Sequence, residues 1–211
     1  MSGAQQAVVR PPERAGPSRR LWSREEFHRA GEAGLFGPEE RLELIGGEIV
    51  QKMTPQKTPH ATAVSLGEAA LRHLFPQGYY VRSQLPLALS AISEPEPDLA
   101  VVEGAIRDYE HEHPAFAVLI VEVADTTLTF DRTTKAGLYA SAAIPEYWIV
   151  NLQDRVLECH REPGPMPDQP FGHHYRSITR YSEGSAMAPA ASAGRHVAVA
   201  DLLPRDVRQG V

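Results

Sequence analysis

The sequence predicts an α+β domain with an α/β core, a mixed β-sheet flanked by helices. Three observations predict it. Two Val- and Ile-rich runs, residues 97–102 and 116–123, flank the polar connector 107–114. Each run has the length of a buried strand, and together they make an antiparallel hairpin. A helical period over 131–143 then leads into a third apolar run, 147–150. Strand, helix, strand in one sheet makes a right-handed crossover, and so a parallel pair. A helix over 58–75 and a strand over 79–87 precede the hairpin. The core order is αβββαβ, with an amino-terminal hairpin before it and extra carboxy-terminal strands after it.

Composition fits one such domain. At 211 residues the chain is long enough to bury a sizeable core. Hydrophobic residues at 42% and charged residues at 23% are ordinary for a globular protein. No apolar run approaches membrane-spanning length, so no membrane partner is expected. Residues 1–20 are Arg- and Pro-rich without an apolar period and predict a disordered tail. The single domain is expected over 21–205, with a short tail at 206–211. One cysteine, Cys159, excludes an intramolecular disulfide and suits the cytoplasm. A net charge of -6 argues against a protein that coats nucleic acid, but not against a cleft made locally positive by a metal.

In chain order, Ser23 and Glu26 form a capping box that starts a helix at Arg24, ending near Gly34. Gly46-Gly47 between two alternating runs predicts a tight hairpin, with Glu43 and Glu48 at its strands. Thr58 is expected as the N-cap of the next helix and Pro59 as its first residue. His60 falls on the inner row of that helix, one turn before Val64. Gln84 and Arg82 alternate with apolar neighbours on the following strand. Glu94 and Glu96 are expected to be solvated. His111 and His113, and likewise His173 and His174, are expected in surface loops rather than as metal ligands. Alternating strands are expected over 155–161 and 174–181, with a loop over 163–170 and a short strand and turn over 197–204.

The hairpin carries the chemistry. Paired residue numbers in an antiparallel hairpin sum to a constant. With Val102 opposite Val118, Asp98 falls opposite Glu122, and their Cβ atoms are roughly 4.5–5.5 Å apart. Alternation puts Asp98 on the face of Ala100 and Val102, and Glu122 on the face of Ile120 and Val118. Two opposed carboxylates repel unless one is protonated or a cation lies between them, and oxygen ligands suit Mg²⁺. Lys135 lies on the buried row of the 131–143 helix with Leu138 and Tyr139. The first turn of that helix projects it towards both acids. Only three lysines occur, at 52, 57 and 135, which singles out the one on a buried row.

These stretches resemble the PD-(D/E)XK restriction-endonuclease-like superfamily, and within it the bacterial "Uma two" group. The resemblance rests on 41–50, on Met53-Thr54-Pro55 with His60, on 95–102, on 121–123, on Asp131 with Lys135 and Tyr139, and on 146–151. It covers residues 22–160. It implies the restriction-endonuclease-like fold and a Mg²⁺ (or Mn²⁺) dependent endonuclease acting on DNA, duplex rather than RNA, as a homodimer. Asp98 and Glu122 would be catalytic metal ligands, with the carbonyl of Val123 as another and Lys135 as the catalytic lysine. The resemblance also marks Glu43, His60 and Gln84 as possible additional site residues. One position departs from the superfamily pattern: Ala124 stands where a lysine is usual, which implies that the lysine has migrated to position 135.

Two rivals remain open from the sequence. One is the same fold with an inert site, used as a nucleic-acid or protein-binding module; Ala124 and the acidic net charge favour it. The other is a paired-carboxylate glycosidase, which needs an aromatic platform for a sugar. Trp22 and Trp148 sit at apparent core positions, which disfavours it.

Overall fold

The structure, a computed structural model, describes residues 18–52 and 57–205. Most of the expected amino-terminal tail, the 206–211 tail and the Met53-Thr54-Pro55 motif lie outside the described residues. A six-stranded sheet runs in the order β3 (Tyr79–Ser83), β4 (Leu99–Glu103), β5 (Leu119–Ala124), β6 (Glu146–Asn151), β7 (Val156–Pro165) and β8 (His173–Ser182). Every neighbouring pair is antiparallel except β5 and β6, which are parallel. With α2 (Thr58–Leu74) ahead of β3, and a helical crossover between β5 and β6, the core is αβββαβ.

Period-two alternation distributes the core over two faces. Leu99, Val101, Val121, Val123, Trp148 and Val150 pack beneath α2 with Ala63, Val64 and Leu71. Ala100, Val102, Ile120, Tyr147 and Ile149 pack on the other face with Leu138, Tyr139 and Tyr175. Val118 precedes β5 and joins the α2 side, not the face of Ile120 as expected.

Local signals set most boundaries. The Ser23–Glu26 capping box is formed and opens α1 (Arg24–Glu32). β1 (Leu42–Ile45) and β2 (Glu48–Gln51) are joined by Gly46 and Gly47 at φ 59° and 81°. Positive φ at both central residues is the hairpin turn whose twist matches its strands, and glycine adopts it without strain. Gly137 answers to a different constraint, since a Cβ there would run into the backbone of Pro170.

Several expectations shift. α2 takes Lys57 as its N-cap, so Thr58 is already helical. β3 stops at Ser83 because Gln84 turns into the left-handed region at φ 50°. The 107–114 connector carries a 3₁₀ turn, Ile106–Tyr109. The crossover starts earlier, with α3 (Leu128–Phe130), a π-helical turn (Asp131–Lys135) and then α4 (Ala136–Ser141). The 163–170 loop is partly strand, because β7 and β8 pair as far as Pro165 and His173. His174 is therefore buried, with Nε2 against the Arg132 carbonyl at 2.9 Å. Glu94 is also buried rather than solvated, held by Arg24 Nε at 2.7 Å and His28 Nε2 at 2.6 Å. Glu96 is half-buried and paired with Arg41. β9 (Ala186–Met187) and β10 (Val197–Ala198) form a small separate pair. Among the described residues no helix is long and apolar enough to cross a membrane.

Candidate active site

The hairpin register places the acids. Leu99 pairs with Val121, and Val101 with Leu119, so the same register extends to Asp98 opposite Glu122. Each carboxylate accepts a backbone N–H from the opposite strand. Val123 N–H donates to Asp98 Oδ2 at 2.9 Å, and Asp98 N–H donates to Glu122 Oε2 at 3.3 Å. Both side chains are buried at the base of a cleft of about 340 Å³.

The crossover brings in the lysine. A π-helical turn is wider than an α-helical one and is frequent at functional sites. Here it buries both Asp131 and Lys135. Lys135 Nζ donates to Glu43 Oε2 at 2.6 Å and lies 3.2 Å from Glu122 Oε1. Only 2% of Lys135 is exposed. Burial disfavours its charge, but Glu122 and Glu43 outweigh burial and hold its pKa above the ordinary lysine value. Tyr139 donates its hydroxyl to Glu122 Oε1 at 2.6 Å. Glu96 N–H donates to Glu43 Oε2 at 3.0 Å.

Asp98 is held from two further sides. His60 Nε2 lies 3.2 Å from Asp98 Oδ2, and Gln84 Nε2 donates to Asp98 Oδ1 at 3.4 Å. The left-handed backbone of Gln84 sits where β3 ends, next to that acid. Burial raises the Asp98 pKa, but the His60 hydrogen bond and charge, the Lys52 charge and the Val123 N–H bring it below the ordinary value. The hydrogen bond to Asp98 raises that of His60. Glu122 goes the other way: burial pushes it up, and Asp98 and Glu43 add to the push against the pull of Lys135. Burial and the charge of Glu122 likewise raise Asp131 to about 7, with Thr127 opposing through its hydroxyl at 2.6 Å.

All the residues singled out from the sequence therefore converge: Glu43, His60, Asp98, Glu122, Val123 and Lys135 line one cleft, and Gln84 touches Asp98. Glu48 is exposed on the outer side of its hairpin. Asp131 and Tyr139 belong to the stretches that carry the family resemblance but were given no catalytic or metal-binding role from the sequence. Their signal was present, because Asp131, Lys135 and Tyr139 recur every four residues along one stripe of the crossover.

The donor set bears on which metal could sit here. Among the described residues, no three His, Cys, Asp or Glu side chains are arranged to hold an ion by themselves. Mg²⁺ does not require that, since it usually keeps several waters and takes one or two carboxylates. Asp98 and Glu122 supply two, and Val123 also lines the cleft. Burial is the main push on Glu122 and Asp131, with neighbouring acids adding to it, and a hard cation would offset both, so the residues fit the group in kind.

No curated protein matches the sequence. Four chains of known structure match. One is the crystal structure of a "putative nuclease belonging to DUF820" from Anabaena variabilis ATCC 29413. It is 15% identical, with a TM-score of 0.63 over 85% of this chain and 96% of that one, and it shares the fold. A family model, Uma2, described as "Putative restriction endonuclease", matches residues 24–204. That span holds the whole αβββαβ core and every residue of the cleft, and on it the chain belongs to the Uma2 family.

Proposed function

We propose that the protein is a metal-dependent endonuclease that hydrolyses phosphodiester bonds in DNA, duplex in preference to RNA. The observation that carries this reading is Lys135. It is a buried ammonium held by Glu43 and Glu122 in the wall of the cleft that contains Asp98. An ammonium kept charged beside two opposed carboxylates is the equipment for acting on a phosphate.

Asp98, Glu122 and the Val123 carbonyl are the residues that would hold Mg²⁺ or Mn²⁺. The ion supplies charge neutralisation at the phosphate and acidifies water near neutral pH. The chain's own residues do the positioning. Lys135 Nζ presents protons to the attacking water or to a phosphate oxygen. Glu43 and Glu122 fix that ammonium, and Tyr139 fixes Glu122. His60 and Gln84 hold Asp98 in one orientation. We also propose a homodimer working in the cytoplasm. Among the described residues the ten-residue β8 ends the sheet, and an edge strand can pair with a second copy; a monomeric mass by light scattering at tens of micromolar would rule that out.

A second reading, the inert nuclease-fold module, is favoured by Ala124 at the usual lysine position and by the engagement of Lys135 with two carboxylates. Plasmid nicking separates the two. Wild type should nick supercoiled DNA with Mg²⁺ or Mn²⁺ and not with EDTA, and Glu122→Gln should not nick. Wild type without activity in either metal would favour the module.

A further inference from the structure

Every lysine in the chain lines the one cleft. There are three lysines against eighteen arginines, and Lys52, Lys57 and Lys135 all lie in its wall. Most of the arginines lie outside it, and several pair with carboxylates: Arg132 with Glu158 and Arg155 with Glu183 through two nitrogens each, Arg24 with Glu94 and Arg161 with Glu146 through one. A guanidinium suits such fixed pairs, whereas an ammonium is a mobile, strongly hydrated point charge. The cleft thus holds all three lysines and one arginine, Arg41.

The cleft is also layered by charge. Its floor is acidic, with Glu43, Asp98, Glu122 and Asp131 buried around Lys135. Its mouth is basic, with Arg41, Lys52 and Lys57. Lys52 is half-buried, and its ammonium donates to the Glu96 carbonyl, a neutral partner that leaves its charge uncancelled. That charge reaches inward and acts on both Asp98 and Glu122. Lys57 stands at the start of α2 with a side chain 64% exposed. It is paired at 2.9 Å with Asp125, which follows β5 directly. The Lys57–Asp125 pair therefore joins two walls of the cleft at its mouth.

We propose that Lys52 and Lys57, at the mouth of the cleft, bind the phosphate backbone of a nucleic-acid strand laid over the reacting centre. In this arrangement the Lys57–Asp125 pair is a latch that a backbone phosphate opens. The proposal rests on the nuclease reading, because it places the strand over Asp98 and Glu122. An exposed ion pair is worth little in water, so a phosphate can take Lys57 from Asp125 at small cost. Asp125 at the same time repels any polyanion that does not engage Lys57.

Binding without cleavage tests this. A short fluorescein-labelled DNA duplex is titrated with the full chain in EDTA, and again in Ca²⁺, across a KCl series, with anisotropy as the readout. Each phosphate contact adds about 0.9 to the slope of log K against log salt. Lys52→Gln and Lys57→Gln should each lower the slope by about 1 and weaken binding similarly on unrelated sequences. Asp125→Asn should tighten binding. Arg72→Gln, on the far end of α2, is the control for net charge and should leave the slope unchanged. Equal slopes for wild type and both lysine variants would overturn the proposal. So would weaker binding by Asp125→Asn, or no binding by wild type. Plasmid nicking in Mg²⁺ is read separately. Nicking with unchanged slopes would leave the nuclease reading and remove this one; lost slopes without nicking would do the reverse.

Discussion

Glu122 and Glu158 invite comparison because the sheet places them in one row. Glu122 pairs with Ile149 on β6, and Ile149 pairs with Glu158 on β7. Two strand spacings separate them, roughly 10 Å. Both are buried, and the same π-helical turn covers both: Lys135 reaches Glu122, and Arg132 reaches Glu158. Their surroundings differ in sign. Glu158 accepts from Arg132 Nε at 2.9 Å, Arg180 Nη2 at 3.0 Å and Asn151 Nδ2 at 3.2 Å. Burial works against it, yet those donors bring it down to about 2. Glu122 has Lys135 and Tyr139 as donors, but burial pushes it up, and its acidic neighbours Asp98 and Glu43 add to the push. A buried carboxylate saturated with donors is scaffold. A buried carboxylate among other acids, with a shifted pKa in a cleft, is the kind of group found at functional sites.

The same substitution in both places should give opposite results. Glu122→Gln should abolish nicking yet leave Tm unchanged or raised, because it removes a charge from an acid-rich cluster. Glu158→Gln should leave turnover per folded molecule within about tenfold. It should cost about 1–3 kcal/mol, a Tm drop of several degrees, because it takes the carboxylate charge from Arg132 and one of two such partners from Arg180. Thermal melts beside plasmid assays check both. Equal loss of activity at the two positions would erase the distinction.

Lys135→Ala sharpens the comparison on the cleft side. Loss of a preorganised charge-stabilising donor should lower turnover by about 10²–10³-fold. Stability should also fall, since Glu43 and Glu122 are left buried without their cation. Activity is therefore normalised to the folded fraction, and Mn²⁺ affinity is measured by calorimetry. Affinity should hold or rise, because a competing cation has gone. Intact turnover per folded molecule would make Lys135 a structural tie, like Arg132.

How much of this was legible depended on the range of the signal. The Asp98–Glu122 opposition followed from the arithmetic of one hairpin, and Lys135 from its place on a buried row. Both are local. The π-helical turn was not legible, because it differs from an α-helix only in which carbonyl each N–H meets, and composition does not encode that. Glu94 looked solvated because its partners, Arg24 and His28, lie 70 and 66 residues away. The Glu158 cluster was missed for the same reason. Alternation predicted β7 and β8 as strands, but nothing local says that Arg132 would arrive from the crossover.

The smallest expected effect lies beside Glu158. His160 is buried between Tyr147, Tyr175 and His174, and neither ring nitrogen has a hydrogen-bond partner among the described residues. Burial lowers its pKa to about 4, and His174 and Arg132 act in the same direction against Glu158, whose carboxylate is 4.0 Å away. The unfolded chain, with an ordinary value of 6.5, therefore takes up the proton first. The stability held by neutral His160 is complete above pH 6.5 and is lost as pH falls towards 4. The loss from Glu158 comes lower, between its ordinary 4.5 and about 2. His160→Phe keeps an aromatic ring in an aromatic site and forfeits no hydrogen bond. It should flatten the fall in Tm between pH 6.5 and 4.5 while leaving the steeper loss below pH 4. Melts from pH 7.5 to 3 check it. An unchanged decline in the upper window would overturn the assignment to His160; Asp131, buried in the cleft and raised to about 7, titrates in the same window. The carboxyl of Asp131 would, however, gain stability on protonation, so its contribution has the opposite sign and would rise as the pH falls.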